Sequence, residues 1–175
     1  MVMKREWTPT TPLQAEQCQI ATVYNNLAEG NYTAFFSQVA PDVKWTLMGT
    51  HPLAGEYTNR TIFLADAIQR LGNVLNSKEA NSFKTTHIMG GGDSDWSLQE
   101  LHALGVCKNG LKYDNKFAWV TRWNTDGVMV EVRGYVDSAL IYKAITENES
   151  GEYTYTDKRD VLMPGPVGAG RAASG

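Results

Sequence analysis

Glu100 and His102, in the stretch WSLQELHALGVC at 96–107, are the residues whose types and spacing most suggest chemistry. Successive side chains of a strand point to opposite faces, so these two share a face with Trp96, Leu98, Leu104 and Val106. A carboxylate and an imidazole two residues apart can serve one substrate. In an apolar surround they can take a proton from carbon and return it elsewhere, the step needed for isomerisation, dehydration or aldol-type cyclisation. The structural alternative makes Glu100 a buried acid held by Arg122, Arg133 or backbone, and His102 a satisfied core histidine.

A second set of candidates would line a pocket. His51, Glu56 and Tyr57 sit in or beside the loop GTHPLAGEY, and Tyr24, Phe36, Trp45, Trp96, Trp119 and Trp123 supply flat apolar walls with a few oriented donors. Plain core packing is the alternative for the aromatics, a loop-stabilising hydrogen bond for His51, and a core or interface position for His87. The three histidines show no HxH or HExxH spacing, so neither a metal nor an organic cofactor is expected.

The elements that must position these groups are legible in outline. A helix is expected from Pro12, with Thr11 as its cap and Gly30 as its stop, and a second short helix runs over 31–39 before Pro41. DVKWTLM at 42–48 reads as a strand, and 49–57 as an irregular loop with a possible short strand. A third helix, capped by Asn59 or Thr61, continues to about Leu75. Residues 80–90 read as a strand with Phe83, Thr85, His87 and Met89 in phase. Gly90, Gly91 and Gly92 form a turn, because a phosphate-binding loop should open a helix and this one opens a strand. Asn109-Gly110 and Asp126-Gly127 then join three long strands into an antiparallel meander. A closing strand end or short helix follows at 138–146, where Asp137 can act as a cap. Strict alternation aims Arg133 and Tyr135 away from whichever interior Gly134 faces.

Composition narrows the function classes. The chain has 175 residues, a net charge of −3 and no run of Lys or Arg, which argues against nucleic acid as a partner. No apolar stretch is long enough to span a bilayer and the first ten residues lack the core of a signal peptide, so no membrane association and a cytoplasmic location are expected. Cys18 and Cys107 are expected as free thiols. The domain organisation reads as a loose arm at 1–11, one domain at 12–147 and a polar, then Gly/Ala/Pro-rich, flexible tail at 148–175.

The phrases VKWTLMGTHPLAGEY, ELHALGVCKNGLKYDNKFAWV and DGVMVEVRGYVDSAL resemble the SnoaL-like branch of the NTF2-like superfamily, which includes ketosteroid isomerase, scytalone dehydratase, limonene epoxide hydrolase and polyketide cyclases. The resemblance spans roughly 13–144. It implies an α+β fold: a cone with a strongly curved, mainly antiparallel sheet and about three helices around an apolar cavity, and often a homodimer through the outer sheet face. It also implies that Glu100 and His102 hold the polar positions of the pocket. In limonene epoxide hydrolase a further Asp lies where this chain has Gly134, so that activity is disfavoured here.

The resulting expectation is a cofactor-independent isomerase or cyclase acting by general acid/base catalysis on a small apolar polyketide, terpenoid or steroid-like intermediate of secondary metabolism. Glu100 would transfer the proton, with His102 as its partner. The rival readings are a non-catalytic small-molecule binding protein and an interaction module that uses the outer sheet face.

Overall fold

Small polar residues and glycines set where the helices start and stop. The structure, a computed structural model, describes residues 17–149. Helix α1 (Gln17–Ala28) ends before Gly30, whose φ of 72° suits a residue without Cβ. The expected helix start at Thr11 and Pro12, the arm, and nearly all of the tail lie outside the described residues. Asn31 caps α2 (Tyr32–Ser37) by accepting a hydrogen bond from the Ala34 N–H. Pro41 does not end that helix. It lies inside β1 (Val39–Met48), where the pairing register shifts between Val39 and Lys44, so its missing N–H costs no ladder bond.

After β2 (Gly55–Tyr57), Asn59 accepts from the Ile62 N–H and opens α3 (Arg60–Phe63), which passes through a π-helical stretch (Leu64–Gln69) into α4 (Arg70–Val74). Arg60 ties this segment to the start of the sheet by donating to the carbonyls of Phe36 and Val39, each at 2.7 Å. Strands β3 (Ser82–Gly90), β4 (Trp96–Val106), β5 (Lys112–Trp123) and β6 (Met129–Tyr135) follow. Gly110 and Gly127, with φ of 87° and 74°, make the two expected turns of the meander. Asp137 caps α5 (Ser138–Asn148) by accepting from the Leu140 N–H.

The six strands form one sheet in the order β2-β1-β6-β5-β4-β3, with β1 and β6 parallel and the other neighbours antiparallel. It is a mixed sheet that does not close on itself, so β2 and β3 are its edges. This α+β arrangement is NTF2-like. The inner face packs into an aromatic cluster. Trp45 stacks on Phe63 at 3.9 Å between centroids and meets Trp119 edge to face at 5.0 Å, while Tyr24, Phe35 and Phe36 close the cluster from the helical side. Cys18 is exposed and Cys107 buried, and the two are not joined in a disulfide. No helix among the described residues is long and apolar enough to cross a membrane.

Two sequence expectations change here. On β4 the buried face carries Ser97, Gln99 and Leu101, so Glu100, His102 and Trp96 lie on the opposite, outer face. Apolar residues occupy both faces of this strand, so alternation did not reveal which one faces inward. On β3 a register shift between Thr85 and His87 breaks the assumed phase. Phe83 packs on the inner-face Phe117 and Trp119, whereas His87 pairs across to the outer-face Glu100. Gly134 faces inward opposite Trp119, with Arg133 and Tyr135 outward, as strict alternation requires.

Trp45 joins α3, β1 and β5 in one ring cluster, and truncating it leaves a large void. Trp45→Ala is expected to destabilise the fold by about 3–5 kcal/mol, read as a lower urea midpoint at unchanged slope.

Candidate functional site

Among the described residues, the interior holds one connected chain of neutral polar groups. The Tyr24 hydroxyl on α1 lies 3.0 Å from Thr121 Oγ1 on β5, and Thr121 donates to Gln99 Oε1 on β4 at 2.9 Å. Because the single Thr121 proton is committed to Gln99, Tyr24 is the donor in the first bond. Gln99 Nε2 and Trp123 Nε1 then both donate to Ser97 Oγ, at 2.6 and 2.7 Å. Burial pushes the Tyr24 phenol well above its ordinary range, so it remains a neutral donor. Trp45 Nε1 and Trp119 Nε1 are buried indole donors without a hydrogen-bond partner. At Gly134 a Cβ would lie 2.9 Å from Leu47 Cδ2 and 3.3 Å from the Trp119 ring, so Leu47 and Trp119 already occupy the place of the carboxylate missing from the last strand.

His51 is fully buried, yet its ring is committed to the loop. Nδ1 accepts from the Leu53 N–H at 3.2 Å, which leaves Nε2 to donate to the Met48 carbonyl at 3.2 Å. Of the pocket candidates, Tyr24, Phe36, Trp45, Tyr57 and Trp119 come together in the interior through ring contacts with one another or with Phe63. Glu56 pairs with Lys44 at 3.1 Å on the outer face, and Trp96 lies there beneath the Arg133 guanidinium, 4.7 Å from the ring centroid.

The titratable groups gather on that outer face instead. Glu100 and His102 line a hollow of about 390 Å³ with Thr86, Leu101, Lys116, Phe117 and Ala118. The Asp114 carboxylate accepts from His102 Nε2 at 2.7 Å, so that whenever the ring carries a single proton Nδ1 is its acceptor nitrogen. Glu100 pairs with His87 Nδ1 at 2.9 Å on the neighbouring strand. Lys84 and Lys116 flank His102 in the cross-strand row, and neither has an ion-pair partner among the described residues. The sequence reading missed Asp114, Lys116 and the outward position of His87. The Asn-Gly turn held the signal: its hairpin register sets Lys116 opposite His102 and Asp114 opposite Leu104, one diagonal step away.

The fold is that of NTF2-like proteins. No protein-family profile matches the chain. A solved NTF2-like protein from Burkholderia thailandensis superposes with a TM-score of 0.60 at 22% identity, covering 73% of this chain and 95% of that one. Two curated proteins are similar in sequence. The dimerizing cyclase phiC of a fungal species is 38% identical over 85% of this chain, and the dimerizing cyclase tstC of Talaromyces stipitatus is 33% identical over 74% of it. The chain spans 66% of the length of the first relative and 57% of the second.

Electrostatics distinguish the carboxylates of the outer face. Burial alone would raise Glu131, but hydrogen bonds and charge from Arg133 and Arg122 outweigh it and hold the carboxyl below its usual range. Asp114 is also held low, first by the His102 hydrogen bond and then by Lys112. A carboxyl depressed in the folded state adds stability above its unfolded value and loses it as pH falls through the folded one. The His102–Asp114 couple is therefore intact at neutral pH and opens only in acid. A carboxyl-carbon NMR titration should give Asp114 a midpoint below the usual aspartate value, and His102→Ala should move that midpoint up.

Proposed function

We propose that the protein is a cofactor-independent cyclase of secondary metabolism, which joins small, largely apolar molecules and closes a ring by general acid/base chemistry in the outer hollow. The observation that supports this most is the His102–Asp114 couple beside Glu100 and Lys116 in one hollow. Proton transfer at carbon needs a group that titrates near neutrality. In the interior only His51 is of that kind among the described residues, and both its nitrogens are engaged. The sequence similarity to proteins named dimerizing cyclases supports the same class of reaction.

In this reading the roles differ from those first assigned from sequence. His102 Nδ1 takes a proton from the carbon next to a carbonyl, and Asp114 stabilises the resulting imidazolium. The electron pair moves onto the carbonyl oxygen, where the Lys116 ammonium offsets the developing charge. The enolate carbon adds to a conjugated carbonyl compound, forming one C–C bond and breaking one π bond. The imidazolium returns the proton to the second enolate, and the same deprotonation and conjugate addition repeated within the joined product forms the C–C bond that closes the ring as a second π bond breaks, so no oxidant or reductant is consumed. Glu100 and His87 form a second proton-transferring pair at the rim.

A homodimer belongs to this reading. Leu98, Val120 and Tyr135 continue the outer face beside the hollow, and Tyr135 is 49% exposed. A second copy seated there roofs the hollow and excludes water.

Incubation with small enolisable cyclic ketones in D2O tests the chemistry. Saturable deuterium incorporation next to the carbonyl is expected, falling by about 100-fold or more in His102→Gln and by less in Glu100→Gln. Binding without exchange would instead favour the non-catalytic binding protein. By light scattering the chain should have the mass of two copies, and Leu98→Asp should halve it.

A further inference from the structure

A second hollow adjoins the first across the edge strand. It is a groove of about 540 Å³ between α1 and β3, lined on the helix by Gln17, Cys18, Ala21, Asn25 and Ala28 and on the strand by 84–88. Thr86 lines both hollows, so only the width of β3, about 5 Å, separates them. Two features of the groove point to a ligand. Ala21 and Ala28 are exposed small residues on the helix, and they leave the groove open toward the strand. Lys84 lines the groove with no ion-pair partner among the described residues, and it stands directly across from His102 in the strand register.

We infer that the α1–β3 groove is a second binding compartment, which takes a small molecule with an apolar body and a carboxylate and holds it beside the molecule in the outer hollow. Lys84 receives the carboxylate, and Ala21, Ala28 and Ile88 cover the apolar part. Lys84 and His102 are cross-strand neighbours, whose Cβ atoms stand about 5 Å apart. A molecule anchored at Lys84 therefore lies next to the base that acts on the other. The inference rests on the cyclase reading, since a reaction that joins two molecules needs two adjoining compartments.

Hexanoate is the probe, titrated into the full chain and followed by amide NMR. Saturable shifts are expected at Ala21 and Ile88. Lys84→Met should weaken them at least tenfold, and Ala21→Leu, which fills the groove from an exposed helix position, should abolish them. The amides of Ile141 and Ala144 on α5 report that either variant remains folded. If hexanoate leaves the groove amides unmoved, or binds Lys84→Met as tightly as the wild-type chain, the second compartment is overturned even where wild-type deuterium exchange is observed. If exchange is absent, the acid/base reading fails, and with it the pairing of the two compartments.

Discussion

Gln99 has no exposure to solvent, and its amide is satisfied only because β5, β4 and α1 meet around it. The side chain accepts from Thr121 and donates to Ser97, which also receives the Trp123 indole, while Tyr24 brings α1 onto the same line. A buried amide without partners costs on the order of 1–3 kcal/mol. The network removes that penalty and fixes which face of β4 turns inward. Everything on the outer face follows from that choice: with Gln99 and Ser97 inside, Glu100 and His102 must be outside.

The division of labour between the two faces has a physical basis. Aromatic rings fill the inside, where Tyr24 is kept neutral by burial and His51 is committed to its own loop through both ring nitrogens. Ionisable groups gather outside, where solvent bears most of the cost of their charge, and several are held by partners on neighbouring strands. Asp114 fixes His102 across the β4–β5 hairpin, and His87 reaches Glu100 across the β3–β4 pair. Such an outer face can carry proton chemistry once a cover excludes water from it, which is why the proposed homodimer and the proposed chemistry depend on each other.

The edge of the sheet adds the last constraint. β3 has a strand neighbour on one side only, and α1 packs along its other side, where Gln17 donates to the Gly90 carbonyl and a groove remains between helix and strand. Small residues on the helix and a register shift in the strand leave the groove open there.

The sequence by itself determined the order of the elements and the meander, because Asn-Gly and Asp-Gly turns and the Asn31, Asn59 and Asp137 caps act over four residues or fewer. It also determined the α+β class and the residues of the aromatic core, since Tyr24, Phe36, Trp45, Tyr57 and Trp119 are too large and apolar to leave in water. Only the tertiary structure decided the facing of β4. Leu98, Leu104 and Val106 on one side and Leu101, Ala103 and Gly105 on the other are equally compatible with a core. The deciding partners of Gln99 lie 22 and 2 residues away, and the Tyr24 hydroxyl reaches Thr121 over 97. The phase of β3 was decided in the same way, by a register shift that no local pattern marks. Long-range hydrogen bonds therefore set which side of the sheet carries the ionisable groups, whereas local turn and cap chemistry set only that a sheet would form.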